Sequence, residues 1–242
     1  RSTPKPSSAA SDVYKRQDIR DSDSIKKFLN EADVVHHLAG ITDVARTKEE
    51  SNPEKDKELN EVAEKGTEVV LSETSKNCKI IFPSTHVVFE GKEDLIKDIK
   101  EDYEKFPVLS YGIGKAKNEG QIEKSGKNYV ILRLASVYGY STDTTRLDIM
   151  PNLFSKIASQ NGTIKLFSGG KQIKSLVPLL DVARCFKFME EREDLSYDLY
   201  NLTKDTVTVK ALSYTHLRAN ETEAELLCRL LLEKKKGGGG GG

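Results

Sequence analysis

Three continuous apolar runs, ADVVHHLAG at 32–40, CKIIFPSTHVVF at 78–89 and NYVILRLASVYG at 128–139, are separated by long charged stretches whose apolar residues recur at helical spacing. An unbroken apolar run suits a strand buried on both faces, which is what a parallel sheet covered by helices requires. Between the first two runs, PEKDKELNEVAEKGTEVVLSETSK places Leu59, Val62, Ala63, Val69 and Val70 mostly three and four residues apart, with charges opposite. It reads as a crossover helix, and LSYGIGKAKNEGQIEK at 109–124 reads as the next one. The rhythm is βαβαβ. Beyond Gly139 the pattern loosens into a helix at 149–160, strand, turn and strand over 163–179, and a helix at 181–193 opened by Asp181 as its cap.

Tyr111 and Lys115 stand four residues apart on the second of these helices, which puts phenol and ammonium on one face. A nearby cation favours the phenolate and lowers a tyrosine pKa from about 10 toward working pH. Such a tyrosine can act as general acid or base at a carbinol. The run KIIFPSTHVVFEG upstream ends on the hydroxyls Ser84 and Thr85, so the three residue types together point to a hydride-transfer centre.

Other classes fit the composition poorly. With 38 basic and 38 acidic side chains in 242 residues, no global field draws the chain to nucleic acid or an anionic membrane. No apolar run reaches the roughly 18 residues that a bilayer demands, and the N-terminus lacks a secretory core. A cytoplasmic location is the default expectation. Cys78 and Cys185 are spaced for neither a metal nest nor a disulfide framework, and no metal is expected.

Both ends suggest a non-biological origin. DVYKRQ at 12–17 is the translation, in one frame, of the end sequence used in transposase-based DNA libraries; SYTHLRANETEAELLCRLLLEKKKGGGGGG resembles the opposite adapter followed by a poly-G tail. The expected organisation is therefore an adapter-like or disordered 1–17, a partial dinucleotide-binding domain over 18–138, a partial substrate-binding region over 139–212 interleaved with the last sheet elements, and an adapter-like tail over 213–242.

The order of segments from Asp18 to Leu212 resembles the extended short-chain dehydrogenase/reductases, in their epimerase/dehydratase branch acting on nucleotide sugars. The resemblance implies an α/β, Rossmann-like doubly wound parallel sheet, truncated in its N-terminal part, with a small partial C-terminal substrate-binding region. It implies that Asp18 and Ile19 meet the adenine ring of NAD or NADP, and that Leu38, Ala39 and Gly40 form a strand-end turn against the ribose and pyrophosphate. Asn60, before Gly66-Thr67, matches the family's NxxGT helix with a longer insert. Tyr111 moves the proton and Lys115 holds the ribose. Thr85 occupies the position of the catalytic hydroxyl, with Ser84 as the fallback. His86 and Val87 replace the Asp-Glu pair of dehydratases, which turns the expectation toward epimerase or reductase chemistry. His86 is either a proton donor or a hydrogen-bonded packing residue. Ser136 replaces an Asn, and Lys174 an Arg, on the nucleotide-sugar side. The family also implies a possible homodimer.

No Gly-rich phosphate turn precedes Asp18, so the chain as written is expected to bind a dinucleotide poorly. A non-catalytic dinucleotide-binding scaffold on the same fold is the competing expectation, weakened because tyrosine, lysine and hydroxyl are all present.

Overall fold

A computed structural model describes residues 17–42, 50–91, 96, 98–141 and 146–218. The elements in chain order are α1 (Ser22–Asn30), β1 (Val34–His36), α2 (Pro53–Glu73), β2 (Lys79–Thr85), α3 (Ser110–Lys124), β3 (Tyr129–Leu134), β4 (Ser136–Tyr138), α4 (Met150–Ser159), β5 (Ile173–Pro178), α5 (Leu179–Glu191), β6 (Asp198–Leu202), β7 (Asp205–Thr208) and α6 (Val209–Arg218). Short 3-10 turns lie at His86–Phe89 and Phe167–Gly170. The described residues divide into two compact units, one within 17–134 and 184–202, the other within 135–183 and 203–218. The division falls inside α5.

The first unit is a four-stranded sheet in the order β1-β2-β3-β6, parallel throughout. Strand alternation sends Ile80, Phe82 and Ile131 to one face, where they pack with Val70 of α2 and Ile122 of α3. Ile81, Val130 and Leu132 go to the other, against Cys185, Phe186 and Met189 of α5. Helices thus cover both faces, which is the doubly wound arrangement that the apolar runs predict. Cys78 and Cys185 are free packing residues.

Helix α2 begins where Asn52 accepts from the amides of Glu54 and Lys55, with Pro53 in its first turn. Helix α3 has no side-chain cap. Its start is instead set by close approach: a Cβ added at Gly112 would lie 3.1 Å from the Val87 carbonyl oxygen and 3.2 Å from Pro107 Cβ. Absence of a side chain there lets the first turn, with Tyr111, sit against the end of β2.

Strand β1 stops short of β2. Its last ladder bond runs from the His37 amide to the Ile81 carbonyl, 3.0 Å, while β2 continues to Thr85 against β3. In a parallel ladder every second residue of β2 faces β1, so the next such residue is Pro83. Proline has no N–H to leave unpaired, and the Pro83 carbonyl accepts from Lys115 Nζ at 2.7 Å.

The second unit pairs β4 with β5 in parallel and β5 with β7 antiparallel. Phe154, Leu176, Val209 and Leu212 form its core. Three local expectations change here. The run VILRLASV is not one strand: it breaks at Ala135 into β3 and β4, which belong to different sheets. Residues 163–166 pair with no strand, although Ile164 and Leu166 still pack on the core of this unit. Asp181 does not cap α5, which begins at Leu179; it lies in the first turn and accepts from Lys204 Nζ at 2.8 Å. The residues 1–16 and 219–242, where most of the adapter-like strings fall, lie outside the described residues. Helix α6 runs from Val209 to Arg218 with Ser213 buried.

Candidate active site

The gap left where β1 ends is a cleft at the carboxyl ends of β1 and β2, the place where open parallel sheets bind ligands. Its walls include Ala39, Gly40, Thr67, Phe82, Tyr111 and Lys115, with His37 and Asn118 beneath. Tyr111 and Lys115 are one turn apart on α3, and Lys115 Nζ lies 5.9 Å from the Tyr111 ring centroid and 4.4 Å over the Phe82 ring. Burial pulls the Lys115 ammonium down to about 8, against the opposing pull of Glu119. Leu38, Ala39 and Gly40 are exposed, and nothing lies within 4 Å of a Cβ built on Gly40. That open backbone is what close approach of a ligand needs. Asn60 is half-buried, its side-chain oxygen is buried without a hydrogen-bond partner, and it lies 3.6 Å from a Cβ built on Gly114 of the cleft wall.

The two hydroxyls part ways, as neighbours on a strand must. Ser84 donates to the Glu119 carboxylate, which also takes Arg133 Nε at 3.0 Å, Arg133 Nη2 at 2.8 Å and Lys105 Nζ at 3.0 Å. Its hydroxyl is thereby engaged in a buried ionic cluster, which favours Thr85 over the fallback. Thr85 is buried and caps the following 3-10 turn, its Oγ1 accepting from the Val87 amide at 3.3 Å. A hydroxyl in that role keeps its own proton to donate. Thr85 is not among the residues lining the cleft. His86 Nδ1 is 3.0 Å from the Leu134 carbonyl, which ties it to the end of β3 and supports the hydrogen-bonded reading over that of a proton donor.

Asp18 and Ile19 have different surroundings. Asp18 is exposed and bound in a two-pronged contact by Arg20, at 3.0 and 2.6 Å, which lowers its carboxyl to about 2. Ile19 packs on the α2 face of the core, its Cγ2 2.7 Å from a Cβ built on Gly66. Ser136 and Lys174 belong to the second unit. Ser136 is registered with Leu176 on β5, two residues beyond Lys174, and Lys174 with Val207 on β7.

Sequence reasoning passed over His37, although a polar residue ending an apolar run was a visible signal. His37 is 4% exposed, and burial, reinforced by Lys115, pushes its pKa down to about 4, so the ring is neutral. Its Nε2 lies 2.8 Å from Thr67 Oγ1, and Asn118 Nδ2 donates to the same oxygen at 2.5 Å. Glu119 was passed over too, one turn beyond Lys115.

A doubly wound parallel sheet with a tyrosine and lysine at the open end of its strands defines a Rossmann-type α/β protein. The chain belongs to the RmlD substrate binding domain family, whose model matches residues 5–209. It is 31% identical over 153 residues to the probable low-salt glycan biosynthesis reductase Agl14 of Haloferax volcanii, across 62% of this chain and 49% of the relative. The chain thus spans about half the length of that curated relative. Among solved structures it resembles the UDP-glucose 4-epimerase of Thermotoga maritima with UDP-glucose (TM-score 0.72, 22% identity, 86% of this chain and 69% of that one). It also resembles the UDP-glucuronic acid 4-epimerase of Bacillus cereus in complex with UDP-glucuronic acid and NAD (TM-score 0.67, 25% identity, 80% and 61%). No helix among the described residues is long and apolar enough to cross a membrane.

Proposed function

We propose that the chain carries the hydride-transfer machinery of an NAD(P)-dependent oxidoreductase acting on a nucleotide sugar, working as a reductase in the net direction. The observation that carries this reading is the Tyr111–Lys115 pair on the wall of a cleft at the carboxyl ends of β1 and β2, beside the open backbone of Ala39 and Gly40. The exposed turn and the unpartnered Asn60 oxygen fit a hydroxyl-rich cofactor. When bound, the nicotinamide supplies or accepts the hydride. Tyr111 gives its phenolic proton to the carbonyl oxygen in reduction, and takes it back in oxidation. Lys115, held by the Pro83 carbonyl, favours the phenolate and holds the ribose. Thr85, next to the cleft but outside its lining, keeps an O–H to donate. Of the two chemistries, reduction is favoured because the curated relative is described as a reductase. A homodimer working in the cytoplasm completes the reading.

The test is to add a nucleotide-linked keto sugar and reduced cofactor to the purified chain. Net cofactor oxidation matching product supports the reductase. Sugar interconversion without net cofactor change identifies an epimerase, and neither result, with dinucleotide still bound, identifies a scaffold.

Turnover is expected to fall as pH rises through about 8, where Lys115 loses the charge that burial already disfavours. Lys115→Arg, which stays protonated, should move that alkaline limb upward; an unmoved limb would assign it to another group. Lys174→Ala should raise KM for a diphosphate-linked sugar more than for a simple carbonyl compound. Equal effects would argue against a nucleotide-sugar substrate.

A further inference from the structure

We propose that His37 is a cofactor-binding residue, its Nδ1–H donating to a hydroxyl oxygen of the dinucleotide seated beside Lys115; this rests on the reading of the cleft as a dinucleotide site. The argument begins with the amide of Asn118, whose Nδ2 faces the Ala63 carbonyl at 2.7 Å and the Gln121 Oε1 at 3.2 Å. Two acceptors on that side fix it as the NH2 end, since the oxygen would face them with no proton between. Asn118 is therefore a donor to Thr67 Oγ1. The Thr67 hydroxyl has one proton of its own to place, and the other group against it is His37 Nε2. Nε2 is thus the acceptor. A neutral imidazole carries one proton, so it sits on Nδ1.

Nδ1 is buried and has no partner. An N–H left in that condition costs about 1–3 kcal/mol, and in native proteins such groups are rare enough to demand an explanation. His37 lines the same cleft as Lys115, and Lys115 is itself a donor. A wall that presents two donors calls for oxygen on the ligand. Hydroxyl groups answer both, and a ribose diol is the part of a dinucleotide that carries them.

Two substitutions separate binding from packing. Asn places an amide near the position of Nδ1, and Gln places one near Nε2. If Nδ1–H meets the ligand, His37→Gln keeps the Thr67 contact yet weakens NADH binding by about tenfold, the worth of one hydrogen bond, while His37→Asn retains more of the affinity. A merely structural His37 gives the reverse order, which would overturn the inference and leave the dinucleotide reading intact. The unsubstituted chain, expected to bind NADH weakly, is titrated first; the absence of any saturable binding would overturn both. Nitrogen-15 NMR of the histidine-labelled chain without ligand should show His37 protonated on Nδ1; a proton on Nε2 would overturn the inference by itself.

Discussion

Tyr111→Phe should lower turnover by a factor of about 10²–10⁴, the usual worth of a positioned acid or base, and leave dinucleotide affinity unchanged. The substitution deletes one oxygen and keeps the ring, so the first turn of α3 still packs against Val87 and Pro107 through Gly112. Lys115 keeps its hold on the Pro83 carbonyl and its place over Phe82. What disappears is the phenolic O–H to which the proposed function assigns the proton transfer. Single-turnover measurement of hydride transfer, with cofactor binding followed separately by fluorescence, checks both halves. Turnover near that of the unaltered chain would show that another group moves the proton.

Glu119→Ala should destabilise the chain by about 3–5 kcal/mol, the range for breaking a buried pair from one side. Glu119 is fully buried and Arg133 is 3% exposed, so the alanine leaves a guanidinium in the interior without its carboxylate. Arg133 keeps its hydrogen bond from Nη1 to the Glu101 carbonyl at 2.8 Å and its place over the Phe89 ring. Urea denaturation measures the loss, and a loss under about 1 kcal/mol would mean that water reaches the arginine, as at an exposed pair. Replacing both partners with apolar residues should recover much of the stability, because the cost lies in the uncompensated charge. The same cluster sets an acid limit. Burial alone would raise the Glu119 carboxyl, but hydrogen bonds from Arg133 and Ser84 and the charges of Arg133 and Lys105 outweigh it and hold the group below its ordinary range. Its stabilising contribution is therefore complete above the unfolded glutamate value of about 4.3 and is lost as pH falls through the lower folded value. Glu119→Gln should flatten that acid limb.

The sheet was legible because double burial writes itself as an unbroken apolar run, and β2 and β3 have such runs. The Tyr111–Lys115 pair was legible because helical spacing alone places the two residues on one face. What escaped reading depended on partners far along the chain. Nothing within LRLASV marks Ala135 as the point where the strand leaves one sheet for another; that is decided by β5 and β6. Ser84 and Thr85 look alike in sequence, and only Glu119 and Arg133, brought up by α3 and β3, set them apart. Asp181 has the composition of a cap, but α5 begins two residues earlier and Lys204 takes the carboxylate instead. His37 went unread because its meaning lies in a chain of donors and acceptors through Thr67 and Asn118.

The early end of β1 leaves β2 with a short stretch of backbone that no strand among the described residues covers. Exposed ladder groups of this kind invite a strand from another molecule, the usual beginning of edge-to-edge aggregation. Here the invitation is withdrawn twice, since Pro83 offers no amide and Lys115 already occupies the carbonyl. The Lys115 ammonium thus also guards this edge, and Lys115→Ala should bring a tendency to self-associate that Lys115→Arg, with its donors intact, does not.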